Sequence, residues 1–188
     1  TRVTFKNRTS FNLKRSAAWM SFEDVTNQAE ALADANRNFE FFYFPFTGMA
    51  LTDTLNITDE TVQKTDEIDG NSGIMDLKYA RDYLSWSSKL RELIIGSYMK
   101  SMPTHTNIDH SYAIYANERN VRFNEMEYHL PTETAMKALA EVRKTIETYF
   151  PEAFFPIECR FIKADDAWLS PFYQRESVSI AVHRYFEE

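Results

Sequence analysis

The sequence predicts an α+β domain, an antiparallel β-sheet with helices packed mainly on one face. Two observations carry that prediction. Strand-like runs come in hairpin-like pairs, residues 39–44 with 49–57 and 154–163 with 178–186. Stretches with 3-4 apolar spacing separate the pairs, and each leaves one polar face.

Taken in order, residues 3–5 and 11–19 read as strands joined by a turn-rich link. Ser21 is a good N-cap with Asp24 three residues on, and Phe22, Val25, Ala29 and Leu32 then recur at helical spacing, which predicts a helix over 22–35. Residues 39–44 are apolar on both faces, as in a central strand of a covered sheet. Pro45, Thr47 and Gly48 break the run, and 49–57 is the return strand. Residues 59–73 carry acids and two glycines without periodicity and read as a solvated loop; the spacing is not that of an EF-hand. One long helix is expected from Leu77 to about Lys100, burying Tyr79, Tyr83, Trp86, Leu90 and Leu93, with Gly96 weakening its last turn and Pro103 marking its stop. Residues 108–116 and 121–130 read as a hairpin around 117–120. Pro131 and Thr132 open a second strong helix, whose stripe is Met136, Leu139, Val142, Ile146 and Tyr149. Two final strands, 154–163 and 178–186, close the chain.

Composition narrows the function. The chain has 188 residues, 44% hydrophobic and 15% aromatic, enough for one domain with a substantial core. Its net charge of -7 argues against tracking a nucleic-acid backbone. Four glycines and no GxGxxG or GxxxxGK[ST] exclude a phosphate loop of those kinds. No apolar run approaches the ~20 residues of a membrane span, which leaves only peripheral membrane attachment open. A single cysteine fits a reducing compartment, so a cytoplasmic location is expected. Both ends look cut, and the chain reads as an excerpt of a longer polypeptide.

The chemistry concentrates in the last two strands. Residues i and i+2 of a strand share a face, so Glu158 and Arg160 point one way and Ile157, Cys159 and Phe161 the other. In the final strand Val178, Ile180 and Val182 share the core face, leaving Ser179, Ala181 and His183 on the other. Glu158, Arg160 and His183 therefore meet on one surface, and small neighbours leave room beside them. The plain alternative is an exposed ion pair next to a strand histidine. Glu125, Glu127 and His129 also share a strand face, but spread over ~13 Å they are too far apart to hold one metal ion without a bulge. His105 and His110 show no ligand spacing. Cys159 faces the core and reads as a packed residue rather than a nucleophile.

The run Phe155-Pro156-Ile157-Glu158-Cys159-Arg160-Phe161-Ile162-Lys163, then Asp165-Asp166-Ala167-Trp168-Leu169-Ser170-Pro171, resembles the C-terminal domain of sugar-lactone and alditol oxidases. These belong to the vanillyl-alcohol-oxidase flavoprotein superfamily, and the likeness is greatest to D-arabinono-1,4-lactone-oxidase-like proteins. Arg122-Phe123-Asn124-Glu125-Met126-Glu127-Tyr128 and Phe39-Glu40-Phe41-Phe42-Tyr43-Phe44-Pro45 resemble its segments too. The resemblance implies a cap domain that works with an N-terminal domain binding FAD, the flavin accepting hydride from a lactone or polyol CH–OH and passing electrons to oxygen. It implies Glu158, Arg160 and His183 as catalytic residues, Arg160, Glu158 and Ser179 as substrate contacts, and Arg160 as the contact to the cofactor. The FAD domain and the family's His-Trp-x-Lys motif are not among these 188 residues, so the expectation is that this segment does not turn over alone. The competing readings are a non-catalytic α+β ligand-binding or interaction module and, more weakly, a metal-dependent hydrolase.

Overall fold

In the computed structural model the described residues are 2, 4–7, 9–63, 70–84, 86–116 and 120–186, the side chains of 70–74, 81, 88 and 91 excepted. Strand β1 (Asn12–Ser21) runs straight into helix α1 (Phe22–Ala35), because Ser21 has extended dihedrals and accepts from the Asp24 N–H at 3.0 Å. β2 (Asn38–Phe44) and β3 (Met49–Thr58) form the expected hairpin, with Gly48 at φ 66 in its turn. Then follow α2 (Gly70–Tyr83), α3 (Ser88–Ser101), β4 (His105–His110), the short α4 (Ser111–Tyr115), β5 (Phe123–Pro131) and α5 (Thr132–Tyr149). β6 (Ile157–Ile162) and β7 (Ser177–Tyr185) complete the chain. Among the described residues the strands make one seven-stranded sheet, ordered β4-β1-β3-β2-β6-β7-β5, with every neighbouring pair antiparallel. The α+β expectation holds.

One sheet face is the core. Phe41, Tyr43, Ile157, Cys159, Val178 and Ile180 are buried there against Val25 and Ala29 of α1 and Leu139 and Ile146 of α5. The Phe22 ring meets Tyr43 edge-on at 4.7 Å. The Tyr43 hydroxyl donates to Glu147 of α5, whose Oε1 also accepts from the Phe46 N–H at 2.9 Å. Burial, reinforced by that carboxylate, raises the phenol pKa. Arg143 pairs with Glu147 at 3.2 Å and lies over both the Phe22 and Tyr43 rings, so one polar cluster clamps α1 and α5 to β2.

Several expectations are corrected. Residues 4 and 5 are not strand; the chain enters the sheet at Asn12, and residue 3 lies outside the described residues. The single long helix is two. Residues 84, 86 and 87 are not helical, and the Ser87 hydroxyl caps α3 by accepting from the Leu90 N–H at 3.3 Å. The aromatic stripe is thereby turned outward: Tyr79, Tyr83, Trp86 and Leu93 are exposed, while Ile95 and Met99 are buried instead. Gly96 has a packing reason, since a Cβ there would sit 2.9 Å from the Thr47 carbonyl oxygen. Residues 70–73 of the expected loop open α2, and 64–69 lie outside the described residues. Finally, β4 and β5 are not a hairpin. β4 pairs with β1 and β5 with β7, at opposite edges of the sheet, and residues 117–119 of the expected turn lie outside the described residues. Alternation marks a strand but does not name its partner. In α5, Tyr149 is exposed and Ala135 takes a buried place.

Candidate active site

Register alone aligns the site. Arg160 of β6 stands opposite Glu40 of β2 on one side and Ser179 of β7 on the other. Ser179 faces His129 of β5, and Glu40 faces Asp53 of β3. One row across five strands thus reads Asp53, Glu40, Arg160, Ser179, His129. In the next row Phe42 faces Glu158, Glu158 faces Ala181, and Ala181 faces Glu127. His183 follows opposite Glu125. All project from the sheet face opposite Tyr43 and Cys159.

Arg160 is exposed, with 45% of its side chain accessible, whereas Glu158 beside it retains 7%. The Arg160 Nε–H donates to Glu40 Oε2 at 3.1 Å and an Nη2–H to Glu158 Oε1. Among the described residues Nη1 has no partner. A carboxylate so buried is tolerated because a guanidinium meets it; alone it would carry a heavy desolvation cost. Ser179 is buried and donates to Glu127. Ala181, flanked by Glu158 and Glu127, is buried too.

His183 is a diagonal neighbour of Glu158 and is buried between Phe123 and Phe155, both ring centroids 5.2 Å away. Its Nδ1 lies 3.0 Å from the Pro156 carbonyl. A carbonyl only accepts, so Nδ1 carries the proton and Nε2 turns toward Glu125, 3.8 Å away. The structure thus brings Glu158, Arg160, Ser179 and His183 to one face, as expected. It recesses all but Arg160, where an open surface was anticipated.

Glu125, Glu127 and His129 do not converge. Glu125 approaches His183, Glu127 binds Ser179, and the His129 ring packs edge-on against Phe172 at 4.7 Å. Among the described residues no group of three His, Cys, Asp or Glu side chains is placed to hold a metal ion. Cys159 is fully buried, and burial pushes its thiol pKa up, opposite to what a nucleophile requires.

Two members of the site escaped the sequence reading. Glu40 is the only charged side chain in the otherwise aromatic run of β2, and that isolation was the available signal. Asp53 is buried and receives Arg15 at 2.7 Å through Nε and 2.5 Å through Nη2. Burial raises its carboxyl pKa, Arg15 works against that rise and Glu40 adds to it. No signal in the sequence marked Asp53 as buried.

The family profile described as D-arabinono-1,4-lactone oxidase matches residues 3–188. The chain belongs to the D-arabinono-1,4-lactone oxidase family. An L-gulono-1,4-lactone dehydrogenase of Mycobacterium tuberculosis is 33% identical over 97% of this chain and 44% of its own length. An L-gulonolactone oxidase of Mus musculus is 21% identical over 97% of this chain and 43% of its own length. The chain therefore spans less than half of the curated relatives it matches. Among solved structures, a solvent-stable cholesterol oxidase superposes with a TM-score of 0.58 at 13% identity, covering 93% of this chain and 42% of that one. The cholesterol oxidase of B. sterolicum gives 0.59 at 12% identity, covering 93% and 43%. These two likenesses concern the fold alone. No helix among the described residues is long and apolar enough to cross a membrane.

Proposed function

We propose that this chain is the substrate-side domain of an FAD-dependent oxidoreductase that oxidises a CH–OH group of a sugar lactone or polyol. Membership of the lactone oxidase family supports the reaction class, and the two relatives named for gulonolactone chemistry support the substrate class. The observation that carries the reading is Arg160. It is a permanently charged fork, fixed by two carboxylates, with an unengaged nitrogen on an exposed edge. That arrangement fits an oxygen bearing or developing negative charge, on the substrate or on the cofactor's ring edge. FAD, held mainly by an N-terminal domain, would supply the hydride acceptor, and oxygen is the proposed terminal acceptor.

The chain's own side chains take the remaining roles. Glu158 anchors Arg160 and offers its second oxygen to a substrate hydroxyl. Ser179, in register with Arg160, lines the same row. His183, its tautomer set by Pro156, presents Nε2 on the side of Glu125 and serves the substrate hydroxyl's proton. The flanking rings, half-buried Phe123 and buried Phe155, limit water at that nitrogen. The test is Arg160→Ala in the full-length polypeptide. Most turnover on aldonolactones and alditols should disappear while FAD stays bound; near-normal turnover removes Arg160 from the mechanism and with it this reading.

A further inference from the structure

We infer that Glu40 is a positioning residue of the proposed reaction, acting through Arg160; the inference rests on the functional reading above. A guanidinium is a rigid plane with five N–H donors. One hydrogen bond leaves that plane free to rotate about the bond, whereas two bonds to different nitrogens from different strands fix it. Here Glu158, two residues away on β6, holds Nη2, and Glu40, opposite on β2, holds Nε at 3.1 Å. The combination leaves Nη1 as the edge without a partner among the described residues. Removing the Glu40 contact would keep the charge in place but release the direction in which Nη1 points.

The site around Glu40 suits that role. Its neighbours along β2 are aromatic, and its side chain keeps 30% of its accessibility, so it is held against the sheet without being sealed in. Asp53 faces it across the β2–β3 ladder, and Arg15 binds that second carboxylate at 2.5 Å, which leaves Glu40 to Arg160. The competing account is an ordinary surface ion pair that contributes little and orients nothing.

A double-mutant cycle in the full-length holoenzyme separates the two, using Glu40→Ala, Arg160→Lys and their combination with an aldonolactone as substrate. A lysine ammonium has no plane to orient, so Glu40 has nothing to act on in that background. Glu40→Ala alone should lower kcat about 100-fold with little change in KM and in the thermal unfolding midpoint. In the Arg160→Lys background it should have no further effect. Fold-changes that multiply overturn the inference. A second readout is independent of turnover: in 15N-arginine-labelled protein the Arg160 Nε–H signal should be protected from exchange, and Glu40→Ala should abolish that protection with FAD still bound. Protection that survives Glu40→Ala overturns the inference, and this readout decides alone if Arg160→Lys turns over too slowly to compare. A wild-type holoenzyme that oxidises no lactone or polyol overturns the functional reading and this role together; an active wild type with multiplicative effects overturns this role only.

Discussion

Arg160→Ala strips the cation from a carboxylate with 7% of its side chain exposed, and the consequence for stability can be worked out. A buried charge that loses its partner costs ~3–5 kcal/mol when sealed from water. Arg160 itself is 45% exposed, so its removal admits water to the Glu158 edge and screens much of that cost. The released Glu40 pair adds little, because both of its side chains reach solvent. The net expectation is ~1–3 kcal/mol, the range for a buried polar group left unsatisfied. With an m-value of ~2 kcal/mol/M, the urea midpoint of this chain should fall by ~0.5–1.5 M at unchanged m. Adding Glu158→Gln removes the orphaned charge and should recover part of the loss. The reasoning is refuted if Arg160→Ala unfolds at the wild-type midpoint, or if the double variant is less stable than the single one.

Three further outcomes follow from other parts of the molecule. Cys159, buried and with its thiol pKa raised, should react with an aromatic disulfide reagent only after denaturation; stoichiometric labelling of the native protein would contradict the packing on the core face. Gly96→Ala should destabilise the chain by ~1–3 kcal/mol in urea titration, although alanine is the better helix former by ~1 kcal/mol, because the new Cβ would meet the Thr47 carbonyl oxygen at 2.9 Å. The Asp53 carboxyl pKa is raised above its ordinary 3.8, so the folded state holds that proton longer than the unfolded chain does, and stability from this group falls as pH rises above about 4. Unfolding free energies of wild type and Asp53→Asn should therefore diverge in favour of the variant as pH climbs from 4 toward neutrality; a constant difference would remove the burial argument.

The legible parts of the fold were those whose signal is local. The helix 22–35 announced itself through a cap and a stripe, and both lie where the sequence put them. The same period arithmetic misread residues 77–100, because Ser87, just after Trp86, caps a new helix and the stripe turns away from the core. A cap is a stop signal as well as a start, and it outweighed continuity of spacing there. β4 and β5 were recognised as strands yet joined wrongly, since their true partners lie about 90 and about 50 residues away in sequence, and nothing local encodes such pairings.

The candidate site was legible for the same reason that its faces were. Alternation within β6 and β7 is a local rule, and it placed Glu158, Arg160, Ser179 and His183 together without knowledge of the sheet order. Glu40 entered only through the β2–β6 ladder, a non-local pairing across 120 residues. The depth of Glu158 and His183 was equally hidden, because it comes from Arg160, Phe123 and Phe155 closing over them rather than from their own strands.

The central claim is that Arg160 on this sheet face serves hydride transfer from a lactone or polyol carbon to FAD. It is tested most directly by anaerobic rapid mixing of the full-length holoenzyme with an aldonolactone, following loss of the oxidised-flavin absorbance. The account predicts fast bleaching in the wild type and bleaching slowed by ~10²–10³-fold in Arg160→Ala, the scale for losing one charge-stabilising donor, with FAD still bound in both. Equal bleaching rates in the two proteins would contradict it.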